Sequence, residues 1–68
     1  MAYAHVMADG TYWAATGTGI IDIATERYPS TAVDRARAWL TAHGGGELRV
    51  HGDDGRVRQT ETVLAHPG

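Results

Sequence analysis

The sequence predicts an α+β fold: an antiparallel four- or five-stranded sheet with one helix on one face, in the order β-β-(β)-α-β-β. Three observations lead there. Apolar and polar residues alternate along "GGELRVHGDDGRV", from Gly45 to Val57. Asp9-Gly10 and Asp54-Gly55 each mark a tight turn between extended stretches. Only the stretch from Thr31 to about Ala42 repeats apolar residues at three- and four-residue spacing.

Tyr3 to Met7 is a short β-compatible stretch, and Thr11 to Thr16 follows the Asp9-Gly10 turn, so the two form a hairpin. Gly17-Thr18-Gly19 then breaks the pattern. Ile20, Ile21 and Ile23 are a β-branched run that predicts a third strand ending near Thr25. Tyr12 and Trp13 are neighbours, so a strand sends one under the helix and the other to the outer face.

Pro29 punctuates the chain, and Ser30 is the expected N-cap of the helix. Ala32, Val33, Ala36, Trp39 and Leu40 form its apolar stripe, while Asp34, Arg35 and Arg37 fall mainly outside it. Gly44 suits the left-handed position that ends a helix. Beyond it, Glu47 to His51 alternates as a strand with Leu48 and Val50 inward. A loop of two residues (Asp54, Gly55) or four (Gly52 to Gly55) keeps Val57 on that same face. The opposite face then carries Glu47, Arg49, His51, Arg56, Arg58 and Thr60.

Sixty-eight residues make one small domain, expected over residues 1–64, with residues 65–68 as a flexible tail. A core of this size rarely contributes more than about 3–5 kcal/mol net, and small scaffolds commonly add a staple. Cysteine is absent, which excludes disulfides and thiolate metal sites and leaves self-association as the remaining common staple. A net charge of −2 gives no global field to attract nucleic acid. No apolar run is long enough for a membrane span, so a cytoplasmic protein with no membrane partner is expected.

His5-Val6, Trp13-Ala14, the aromatic-x-Ser helix start Tyr28-Pro29-Ser30 and, above all, "GGELRVHGDDGRV" resemble a family of small prokaryotic proteins. It is the domain of unknown function 2188 family, which includes YdaT-like proteins. The resemblance runs from about His5 to Val57 and implies a domain, not a mechanism. Members often carry Lys or Arg after the tryptophan. Here Thr16, Thr18 and three isoleucines follow, which weakens a nucleic-acid inference borrowed from basic relatives.

Arg49, His51, Arg56 and Arg58 are the candidate ligand-binding residues, since guanidinium forks on adjacent strands suit phosphate or carboxylate oxygens. The plainer reading is a solvated hairpin face, partly neutralised by Glu47, Asp53 or Asp54. Tyr12, Trp13, Ile21 and Ile23 are the candidate interface residues, because one helix leaves a sheet face uncovered. Neither the four histidines nor His51 with Asp53-Asp54 matches an established metal-binding spacing, so no metal is expected. Gly17-Thr18-Gly19 lacks the following helix of a phosphate-binding loop. With Ser30 assigned to capping, no nucleophile–base arrangement stands out. A non-enzymatic, cofactor-free interaction module is therefore expected, forming a homodimer or meeting a protein partner. The alternative is an anion-binding protein that takes nucleic acid, a nucleotide or a phosphorylated ligand on the Arg hairpin.

Overall fold

A computed structural model describes residues 2–19 and 21–66. Its elements are β1 (Ala2–Asp9), β2 (Tyr12–Gly17), β3 (Ile21–Glu26), α1 (Pro29–Ala42), β4 (Gly46–His51) and β5 (Val57–Val63). The fold is α+β with five strands and one helix, in the chain order expected. The expected start of the third strand at Ile20 and the tail residues Pro67 and Gly68 lie outside the described residues. His66 N–H donates to Thr41 O at 3.3 Å, which brings the chain after β5 to the last turn of α1.

The sheet is mixed, not antiparallel as expected. Its spatial order is β3-β2-β1-β4-β5, with β1 and β4 parallel at the centre and antiparallel pairs outside them. The reason lies in the connections. Two antiparallel steps make β3 run in the direction of β1, and a helical crossover returns β4 in that same direction. Docking β4 beside β1 then requires a parallel pair. Turn residues specify the hairpins, but no local signal reports which sheet edge β4 joins.

Side-chain alternation divides β1 and β4 between the two sheet faces. Ala4 pairs with Gly17 and Leu48, and Val6 with Ala15 and Val50, all on the helix side. Against them α1 places Ala32, Ala36 and Leu40 of the predicted stripe, fully buried, with Val33 and Trp39 partly buried beside them. Leu40, Leu48 and Val6 are the largest fully buried side chains. Two ion pairs tie the helix to both edge strands. Arg35 meets Glu26 of β3 at 3.3 Å, and Arg37 grips Glu61 of β5 through Nε (2.7 Å) and Nη2 (2.9 Å).

Three local expectations need correction. The helix begins at Pro29 with Tyr28 as N-cap, and no side chain caps it, so Ser30 is not the cap. Proline's fixed φ and missing N–H suit the first helical position, which moves the start forward. Gly44 does end the helix, at φ +90°, and Gly45 N–H closes the end by donating to Leu40 O at 2.7 Å.

The second correction is the β4–β5 connection, which spans five residues, Gly52 to Arg56. Gly52 N–H donates to Arg56 O (2.8 Å) and Gly55 N–H to Gly52 O (3.0 Å), with Gly55 at φ +83°. An odd loop would reverse the faces, but a register shift between Val50 and His51 restores them. Third, that shift sets Val57 opposite His51, and Val57 is 48% exposed outside the helix cover.

Candidate functional site

The helix covers one side of the sheet and leaves the other open. Alternation places Tyr3, His5 and Met7 of β1 in a row along the middle of that open face. The pairings of His5 with Thr16 and Arg49, and of Met7 with Ala14, build it outward. Tyr12 opposite Asp9, and Arg49 opposite Thr60, extend it toward the edges. Tyr3, Met7 and Tyr12 are 40%, 41% and 49% exposed. A patch of large apolar side chains in water is unfavourable unless something covers it.

The structure separates the candidate interface residues. Tyr12 projects from the open face, whereas Trp13 and Ile23 pack against the core on the helix side. Ile21, on edge strand β3, is 50% exposed and borders Trp39. The bulge between Ala15 and Thr16, in the β2–β3 pairing, alters the alternation of the isoleucine run, which the sequence pattern does not reveal.

Of the candidate ligand residues, Arg49, His51 and Arg58 are engaged by other groups of the chain. Arg49 faces Glu47 at 3.4 Å and lies 5.7 Å from the centre of the Tyr3 ring. Arg58 Nη2 donates to Asp54 Oδ2 at 2.7 Å. Asp54 Oδ1 also accepts from the Arg56 N–H at 3.0 Å, so this aspartate anchors the turn. Neutralisation by neighbouring carboxylates therefore removes much of the field that three arginines would supply.

His51 meets a partner that sequence reasoning did not find. Its Nδ1–H donates to Gly55 O at 3.0 Å, because a carbonyl can only accept. In the neutral ring Nε2 is then an acceptor, and His5 Nδ1–H donates to it at 3.1 Å. The two half-buried rings lie 5.3 Å apart between centroids. Burial lowers the His5 pKa from its ordinary 6.5, helped by His51 and Arg49 and opposed by Glu47. The outward parity of Tyr3, His5 and Met7 was readable once Ala4 and Val6 were placed inward. The contact with β4 was not, since it depends on the parallel pairing.

His43 has a structural role at the helix end. Its Nδ1–H donates to Trp39 O at 2.8 Å, and its ring stacks on Trp39 with centroids 4.2 Å apart. Among the described residues no group of three or more His, Asp or Glu is placed to hold a metal ion. A shallow groove of about 590 Å³ runs along the outside of α1, lined by Ala38, Thr41 and Ala42 among others. Its one guanidinium, Arg37, is occupied by Glu61. Among the described residues no helix is long and apolar enough to cross a membrane.

A family profile described as an uncharacterized protein conserved in bacteria, DUF2188, matches residues 4–63. No curated protein and no solved structure matches the chain. The matched span takes in the whole helix, the open-face residues from His5 onward and the Gly45–Val57 hairpin. This chain belongs to the DUF2188 family of bacterial proteins.

Proposed function

We propose that this protein is a non-enzymatic interaction module that pairs with a second copy of itself through the open sheet face. The observation that carries this reading is the row of Tyr3, His5 and Met7, with Tyr12 beside it, left in water at the centre of a five-stranded sheet. Strand spacing and rise make the face roughly 20 Å by 20–25 Å, so pairing two copies buries on the order of 1,000 Å², the lower bound for a specific interface. The charges favour a self-complementary arrangement. Asp22, paired with Thr16, lies on the β2–β3 side, and Arg49, paired with His5, on the β4–β5 side. A two-fold axis along β1 lays one half over the other.

The anion-binding alternative is weaker because Glu47 and Asp54 already engage two of its three arginines. Amide spectra recorded across a dilution series test the proposal directly. Signals from β1, β2 and β4 should move with concentration while those of α1 stay fixed. Shifts confined to the helix would redirect the interface and refute this face as the docking surface.

A further inference from the structure

We propose that His5 and His51 form a two-imidazole site for a borderline divalent transition metal such as Zn²⁺, completed by the same pair from a second copy. The completion rests on the dimer proposed above; the two-nitrogen bite does not. His5 Nδ1 and His51 Nε2 are 3.1 Å apart. Two nitrogens about 2.0–2.1 Å from a tetrahedral zinc lie about 3.3 Å from each other, so the rings need to open by a few tenths of an ångström and turn by about 35° until both lone pairs meet at the metal.

The surroundings prepare His51 for this role. Its Nδ1–H is held by Gly55 O, which fixes the ring and directs the Nε2 lone pair at His5. An imidazole whose second nitrogen donates to a carbonyl is the usual arrangement around a bound metal. His5 also needs a tautomer change: its proton moves from Nδ1 to Nε2, freeing the Nδ1 lone pair without altering the charge. Arg49 opposes a cation nearby, and its pairing with Glu47 reduces that opposition.

Two ligands from one chain leave two tetrahedral positions open. His5 sits on the central strand, close to the proposed axis, so the second copy brings its own two imidazoles across the interface. Open positions that a second copy does not fill fall to water. The sequence gives no hint of this site, since the two histidines are 46 residues apart and meet only through the β1–β4 pairing.

The test is calorimetric titration of the whole protein with Zn²⁺, paired with sedimentation before and after loading. His5→Gln, His51→Gln and, as a control, His43→Gln are titrated alongside, with metal-free melts confirming the fold. Zn²⁺ should bind the native chain and the control, with at least a tenfold loss of affinity in each of the other two variants. One ion per two chains supports completion by a second copy. One ion per chain, lost in the same variants, supports the His5–His51 bite and overturns its completion by a second copy. Binding that is absent, or unchanged by His5→Gln and His51→Gln, overturns the site. The metal-free sedimentation run decides the dimer separately.

Discussion

At the scale of single residues, the inward and outward positions of β4 should respond very differently to substitution. Val50 pairs with Val6 and packs against the core, so Val50→Asp buries a carboxylate without a partner and should unfold the domain. Arg49→Thr, one position away, should change stability by no more than about 0.5 kcal/mol, as expected of a surface site. Equal damage in thermal melts would show the faces to be misassigned. These two faces were legible because Leu48, Arg49, Val50 and His51 alternate without interruption. The partner of His51 was not, because nothing local to residues 47–57 points to His5. That partner gives a pH dependence. The unfolded chain protonates its histidines near 6.5, whereas folded His5 resists protonation until lower pH because of its burial, His51 and Arg49. Stability associated with neutral His5 is therefore full above 6.5 and lost as pH falls through the folded value. Melts between about pH 7.5 and 5 should show a steeper loss for the native chain than for His5→Gln. Parallel curves would contradict this.

At the scale of elements, the strands and the helix were readable from period and punctuation, while their ends and pairings were not. Ala32, Ala36 and Leu40 of the helix stripe are fully buried and Val33 and Trp39 partly so, yet Pro29 overrode the capping preference of Ser30. Asp54-Gly55 announced a hairpin, but loop length depends on whether a bulge follows, and that is settled by the whole β4–β5 register. The parallel β1–β4 pair has its own sequence requirement, visible only afterwards. Gly46 lies so close to the Ala2 backbone that a Cβ has no room. Gly46→Ala should therefore cost about 1–3 kcal/mol or more through overpacking, measured by chemical denaturation. A neutral result would mean the two strands can separate there at little cost. The ion pairs that fasten α1 to the sheet edges make a milder prediction. Arg37 lowers the Glu61 pKa from its ordinary 4.5, chiefly through their hydrogen bond, so this contribution is present above 4.5 and lost as pH falls through the folded value. Glu61→Gln should flatten the acid limb of the stability curve while leaving neutral stability within about 1 kcal/mol.

At the scale of the whole molecule, one helix on a five-stranded sheet makes a two-layer protein with one layer uncovered. The expectation of an uncovered apolar face came from counting one helix against several strands. Its residues were only partly foreseen: Tyr12 lies there, Trp13 and Ile23 do not, and Tyr3 and Met7 join it through the central strand. Replacing Arg49, Arg56 and Arg58 together by Gln should leave the fold intact and weaken self-association only slightly, since Arg49 and Arg58 are already matched by Glu47 and Asp54. Titration with oligonucleotides and mixed nucleotides at two salt concentrations reads the other hypothesis. Tight, salt-sensitive binding lost in the triple variant would favour anion recognition. The most direct measurement is sedimentation equilibrium on metal-free native protein and on Met7→Arg, which sets a charge at the centre of the open face without touching the core. The native chain should be a dimer at roughly micromolar concentration, and Met7→Arg should be a monomer with an unchanged melting temperature. A native chain still monomeric at roughly hundreds of micromolar, or a Met7→Arg chain that dimerises as tightly as the native one, would contradict pairing through this face.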